Sequence, residues 1–349
     1  MTTYFDLGGL RQRLCELTGS PNVRYVASRV AQAVLAVLGV YIVVFVIVTA
    51  LPGDPVSAHL RNPEFAYTEA EIAELLAYYR LDRSLLEQLG ISLGRSFHGD
   101  LGLSISSNRP VSAVLWGGIP STLQLAGAAF VLAVIIAFVV ALGAYYLPAT
   151  AGGGLLRAFP SLFLSLPNFL IGLVVIDVFA FQLGTFVISD FRSLNSLIYP
   201  AVTLAIPASA PIAQVFITAL DAARVEQYAI VAKSKGISRF ALFVRHLLPN
   251  AALPTLTMSA IIVGDLLGGS IITEAIFGRT GVGTVIELAV VDQDVPVLQA
   301  AVTLAAVLFL FINLVVDLSY PVLDPRLRRQ AATGDIRPRP KSRQESTAW

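Results

Sequence analysis

Apolar residues fall into six long blocks, at about 30–51, 121–147, 158–183, 198–219, 256–276 and 296–320, separated by polar stretches of very unequal length. Each block has roughly the 20 residues that a helix needs to cross a hydrocarbon layer of about 30 Å. The pattern predicts an all-α polytopic membrane protein with six transmembrane helices. The first block follows Arg11, Arg13 and Arg24 and runs for 22 residues. That exceeds the roughly 7–15 residues of a signal peptide's apolar region. Val48 and Ala50 are small enough to imitate a cleavage site, yet the length and Pro52 favour a span that is kept.

The blocks divide the chain into an amino-terminal segment (1–29), helix one (30–51), a polar segment (52–118), a core of helices two to six (119–320) and a basic tail (321–349). Within 52–118, Thr68 and Glu71 have the spacing of a capping box, which starts an amphipathic piece at 68–79. The tail is rich in Arg, Pro, Gln and Ser and is expected to be disordered.

Composition agrees with the blocks: 56% of residues are hydrophobic and 13% charged, with mean hydropathy +0.74, against about 25% charged in soluble domains. Membrane lipid is therefore the expected surrounding, and nucleic acid is not an expected partner. The net charge of +1 says less than the sidedness of Lys and Arg. With the amino terminus inside, the inner segments hold 4 basic residues before helix one, 1 at Arg157, 5 in 221–254 and 7 in the tail, which is 17 of the 24. Both termini and the 221–254 loop are accordingly expected in the cytoplasm, and 52–118 outside. The single cysteine, Cys15, excludes a disulfide framework.

Little in the sequence points to catalysis. There is no Gly-Lys dipeptide, hence no phosphate-binding loop of the ATPase type. His59, His98 and His246 all fall outside the apolar blocks, which disfavours a metal pair or a Ser/His intramembrane protease, and Gly269-Ser270 alone does not make one. The chain is expected to be non-catalytic, with no metal and no cofactor of its own. Acids inside the blocks are the next signal, because each costs roughly 2.5–3.5 kcal/mol at mid-membrane. Asp265 shares a helix face with Gly268, Gly269 and Ile272, and Gly264 with Gly268 makes a small-x-x-x-small pair. Its carboxylate is expected to point into protein, as either an interhelical hydrogen bond or part of a translocation path. Glu274, nearer the outer end and out of phase, and Asp177 in helix three complete the candidate path set; a structural hydrogen bond is the competing reading for Asp177. Asp317, near the inner end of helix six, is expected to reach head-group water.

The one long polar, basic break inside the apolar core is 221–254. A helix is expected up to Lys235, with Gly236 in the left-handed conformation that ends it. Ser238 then caps a second short helix, closed by Pro249 and Pro254. Lys233, Lys235, Arg239 and Arg245 make this elbow basic. Anchoring to lipid head groups would account for the charges but not for a helix-Gly-helix hinge.

With these residues in view, the chain resembles the permease subunits of bacterial ABC importers, specifically the B-type subunit of dipeptide, oligopeptide and nickel systems. The likeness rests on the so-called EAA loop, here Tyr228, Ala232, Lys235, Gly236, Arg245, His246, Pro249, Asn250, Ala251 and Pro254 at the peptide-importer spacing. Ile230 and Val231 replace the first Glu and Ala of the general motif, and no contact is carried over for them. Supporting runs are Leu51-Pro52-Gly53-Asp54-Pro55, Gly99-Asp100-Leu101-Gly102, Leu166-Pro167-Asn168-Phe169 and Asp324-Pro325-Arg326.

The resemblance implies a type I importer fold in the bacterial inner membrane and a homologous permease as partner. It also implies two cytoplasmic ATPases that bind ATP and Mg, and an external substrate-binding protein received by 52–118. It makes Tyr228, Ala232, Lys233, Lys235, Gly236, Arg239, Arg245, His246 and Pro249 the ATPase-coupling loop. Short peptides are the implied substrate, with nickel, glutathione or haem as alternatives. A channel or proton-coupled carrier working without ATP is the rival from another class, and it leaves the hinge unexplained.

Overall fold

The computed structural model describes residues 21–50, 68, 72, 84–187 and 195–323. The readings for 1–20, for most of 51–83 including Glu71 of the capping box, and for the tail from 324 lie outside the described residues. In chain order the helices are α1 (Pro21–Ala50), α2 (Leu85–Phe97), α3 (Val111–Tyr146), α4 (Gly153–Leu164) and α5 (Asn168–Val175), which continues as a π-helical turn, Ile176–Gln182. They continue with α6 (Asn195–Val225), α7 (Gln227–Ser234), α8 (Arg239–Leu242), α9 (Leu248–Phe277), α10 (Val282–Val291) and α11 (Val295–Leu323). A π turn, Phe243–Leu247, joins α8 to α9 without a break. Among the described residues there is no strand, only an isolated bridge between Leu103 and Pro110.

Five of these helices are long and apolar enough to cross a membrane, and six if α4 with α5 counts as one span. Helix three is therefore not the straight rod that the apolar block suggests. Its two pieces meet at 108°. The cause is Pro167: proline drives the residue before it out of the helical region and offers no N–H to the preceding turn. The second span begins ten residues earlier than its apolar block, at Val111. Residues 111–118, expected in the polar segment, thus belong to α3.

The core forms where α3 meets α6. Ala126, Ala129, Ala133, Ala137, Ala141 and Ala144 recur at three- and four-residue steps and are buried, so one face of α3 carries almost no side chain. Against it α6 places Ala201, Leu204, Ala205, Ile212, Ala213 and Phe216. Small residues let helix backbones approach closely where the surrounding solvent is as apolar as the side chains. The prolines inside α6, Pro200, Pro207 and Pro211, sit in this packed helix without ending it.

At the end of the bundle away from 226–247, the start of α11 is tied to a loop. Asp294 accepts from Ser104 Oγ at 2.6 Å and Ser106 Oγ at 2.9 Å, and from the Val297 N–H at 3.4 Å. At the opposite end, Arg29 of α1 pairs with Asp317 of α11 at 3.3 Å. Asp317 thus meets a guanidinium in addition to whatever head-group water reaches it.

Candidate functional site

The elbow is built by two caps placed almost back to back. At the end of α7, the Gly236 N–H donates to Lys233 O at 3.0 Å and the Ile237 N–H to Ala232 O at 3.3 Å. This bond pair is a Schellman motif, which needs a left-handed residue, and Gly236 supplies it at φ +77°. One residue later Ser238 caps α8, its Oγ accepting from the Ala241 N–H at 3.3 Å. Only Ile237 separates the caps, and it packs on the core. The hinge expected at Gly236 and Ser238 is therefore present, and it is rigid.

The closing role expected for Pro249 and Pro254 is not. Helix runs without a break from Arg239 to Phe277, so the second elbow helix is the first turn of the fourth of the five long helices. Pro249 directly follows the π turn and Pro254 stands inside α9, and neither ends the helix. The elbow consequently narrows to 226–247, and α7 is its one free-standing helix.

α7 turns Ala229 and Ala232 inward, both buried. Tyr228, Ile230, Val231, Lys233 and Lys235 point out, and Val225, Phe240 and Val244 add exposed apolar surface beside them. Partial burial pushes the Tyr228 phenol above its usual range, and the neighbouring Glu226 adds to that. The Tyr228 ring faces that of half-buried His246 at 6.5 Å between centroids. Arg245 and Pro249 are exposed. Of the predicted coupling residues, Ala232 is therefore underside packing, whereas Tyr228, Lys233 and Lys235 share the outer surface.

Arg239 has a different task. Its guanidinium lies over the rings of Tyr145 and Tyr146, at 5.9 and 5.7 Å, and donates to Tyr145 O at 3.5 Å. Arg224 lies over the Tyr145 ring at 5.2 Å, and Phe243 packs on both tyrosines. Next to this cluster, Arg157 of α4 grips Asp221 of α6 through two bonds of 2.5 and 3.2 Å and donates to Ala144 O at 3.3 Å. Two arginines thus meet the free carbonyls that end α3, where the helix dipole favours cations. These contacts join the elbow to α3, α4 and α6, so it cannot tilt alone. Sequence reasoning missed the cluster. Its one local signal was the Tyr145-Tyr146 pair at the end of an alanine-rich span, where aromatic residues mark a membrane boundary.

The candidate path residues do not gather at one place. Asp265 and Gly268 lie exposed on α9 with Ile261 and Ile272, so the carboxylate expected to point into protein does not do so within this chain. The expected glycine pair also separates. Gly264 is buried against Asn313 of α11, where an added Cβ would stand 2.6 Å from Oδ1, while a Cβ added at Gly268 would meet nothing within 4 Å among the described residues. Gly269 turns partly inward against Leu204 of α6. Asp177, also exposed, accepts from Gln182 Nε2 at 2.7 Å within the π turn. Because Asp265 is exposed and makes no hydrogen bond or ion pair among the described residues, Asp265→Asn is expected to shift thermal unfolding by no more than about 0.5 kcal/mol. A thermal-unfolding comparison in detergent checks this; a large loss of folded protein would contradict it.

Glu274 is fully buried, off that exposed face. Its Oε2 accepts from the Gly283 N–H at 2.9 Å, which places a carboxylate at the start of α10. Beside it Arg279 Nη1 donates to Ser196 O at 2.9 Å, and burial holds this guanidinium below its ordinary pKa, opposed by Glu274. Thr122 Oγ1 of α3 accepts from the Val282 N–H at 3.0 Å. Glu274 thus ties α9 to α10, and Thr122 ties α10 to α3. Among the described residues, no three His, Cys, Asp or Glu side chains form a group that could hold a metal.

Residues 133–329 match the family described as binding-protein-dependent transport system inner membrane component. The chain is 32% identical over 311 residues to a putative peptide transport system permease protein of Brucella abortus (strain 2308), covering 87% of this chain and 98% of that one. It is 31% identical over 307 residues to the glutathione transport system permease protein GsiC of Escherichia coli (strain K12), covering 88% and 99%. A solved inward-facing structure of the MetNI methionine ABC transporter superposes with a TM-score of 0.50 at 19% identity, covering 59% of this chain and 94% of that one. That likeness concerns the fold alone.

Proposed function

The chain belongs to the family of binding-protein-dependent transport system inner membrane components, permease subunits of ABC importers, and from that premise we propose that it forms, with a homologous permease, the path for short peptides. Two cytoplasmic ATPases, binding ATP and Mg, drive it, and an external binding protein delivers the substrate. The elbow is the cytoplasmic seat for an ATPase, and both termini lie on the same side.

The observation that carries this reading is α7. A free-standing helix with two buried alanines below and Tyr228, Val231, Lys233 and Lys235 above is held rigid by the caps at Gly236 and Ser238. Exposed apolar surface rimmed by charge is what a protein partner covers. When nucleotide closes the ATPase pair, α7 moves as a lever. The Arg239–Tyr145 and Arg157–Asp221 contacts hand the motion to α3, α4 and α6, as a rigid-body switch requires.

The exposed Asp265 and Gly268 face of α9 then meets either the path or the second permease. The peptide assignment is supported by relatives named for peptides and for glutathione, itself a short amide-linked chain. Affinity purification from the native membrane, with mass spectrometry of the co-purifying proteins and of the ligand on the binding protein, tests it. The expected result is a second permease, two ATPases and a peptide-loaded binding protein; recovery with nickel or haem on that protein would overturn the substrate assignment.

A further inference from the structure

A second feature lies far from the elbow. Between α1, α2, the first turns of α3 and α11 is a cavity of about 640 Å³. It begins about one turn beyond the Arg29–Asp317 pair, at Ala33 and Leu314, and runs along α1 and α11 to the level of α2. Its walls are apolar over most of that length, with Val37 and Leu38 on one side and Leu304 and Phe311 on the other.

Polar groups collect only at the α2 end, and nearly all are already engaged. The Tyr41 hydroxyl bonds Ser92 at 2.6 Å and Ser96 at 3.2 Å, and Arg95 faces Asp100 at 3.8 Å. Gln299 is an exception. Its side chain lines the cavity, the residue is 9% exposed, and its buried Nε2 has no hydrogen-bond partner among the described residues. A buried amide donor without an acceptor is costly, so this nitrogen marks where a ligand's acceptor belongs.

We propose that the cavity binds one membrane phospholipid, with an acyl chain between α1 and α11 and an ester carbonyl accepting from Gln299 Nε2. The walls are faces of two membrane spans, so the adjoining solvent is lipid. A peptide laid there would bury its own N–H and C=O groups against hydrocarbon. The level is also right. Leu86 and Phe97 of α2 are 82% and 74% exposed, and Trp116 at the start of α3 is 70% exposed. Amphipathic helices and tryptophans of this kind sit at the membrane interface, the depth of the lipid esters. The proposal requires only that the chain spans a membrane.

The test uses the full chain in phosphatidylethanolamine/phosphatidylglycerol vesicles doped with phosphatidylethanolamine carrying a diazirine near the end of one acyl chain. After illumination, adducts are expected on the α1 and α11 segments that line the cavity. Thr303→Phe, which fills the cavity from α11, should cut them by roughly fivefold or more, while adducts on the exposed Val131 and Val139 of α3 stay unchanged. Val37→Phe fills it from the opposite wall and serves if the first variant folds poorly. Gln299→Leu should lower the phosphatidylethanolamine retained through purification by about threefold or more. Equal labelling of the cavity segments in both filled variants would overturn the proposal, as would a crosslink showing a helix of a second permease in that space.

Discussion

Gly236→Val is expected to lower ATP-dependent uptake at least tenfold while leaving the amount of chain in the membrane unchanged. Gly236 stands at φ +77° between the caps of α7 and α8. A side-chain-bearing residue in the left-handed region costs roughly 1–2 kcal/mol, and a β-branched one is still less at home there. The chain can escape only by unwinding the end of α7, which breaks the Gly236 and Ile237 bonds that fix its direction. The lever then becomes a hinge. Among the described residues no atom lies within 4 Å of an added Cβ, so the effect comes from the backbone and not from crowding. Gly236→Asn separates these causes, because Asn tolerates the left-handed region, and should keep most of the uptake. Wild-type uptake by a well-inserted Gly236→Val chain would sink the lever.

Gly283→Ala is expected to act on folding. An added Cβ would stand 2.7 Å from the carbonyl carbon and 2.8 Å from the Cα of Ile271, and it would overlap the Ile271 carbonyl oxygen. All three are backbone atoms of α9, so no rotamer change relieves the clash and α10 has to lift away. Lifting also breaks the bond from the Gly283 N–H to Glu274, leaving a fully buried carboxylate without that donor. Overpacking costs about 1–3 kcal/mol and leaving a buried acceptor without its donor costs about 1–3 kcal/mol more, so a loss of about 3 kcal/mol or more is expected. Gly268→Ala, with nothing within 4 Å of the added Cβ among the described residues, should change stability by less than about 0.5 kcal/mol. Thermal unfolding of the two variants side by side decides it, and equal midpoints would contradict the packing described for α10.

What the sequence disclosed follows from the range of the interactions concerned. The spans were legible because crossing a membrane is a local demand that each apolar block meets alone. Gly236 and Ser238 were legible because caps are local too, written in residue type and a spacing of a few positions. The bend at Pro167 was hidden inside an apolar block, since hydropathy is blind to direction. The prolines at 249 and 254 misled because a π turn ahead of Pro249, which no residue type announces, carries the helix through.

Long-range partners set the remaining assignments. Asp265 and Glu274 are both acids in one helix, yet the first is exposed and the second holds the Gly283 N–H. Only the arrangement of α10 separates them. Tyr145 and Arg239 are 94 positions apart, so their meeting belongs to the fold and not to any motif.

Reconstitution decides whether energy enters this chain from separate ATPases through α7, as proposed. Substrate uptake is measured in vesicles holding the chain with its permease partner, with and without the ATPase subunits and ATP. Uptake is expected only when both the ATPases and ATP are present, and it should be lost when Val231→Asp puts a charge on the outer face of α7. Uptake at the same rate by the chain without ATPases would contradict it and make this protein a self-sufficient carrier.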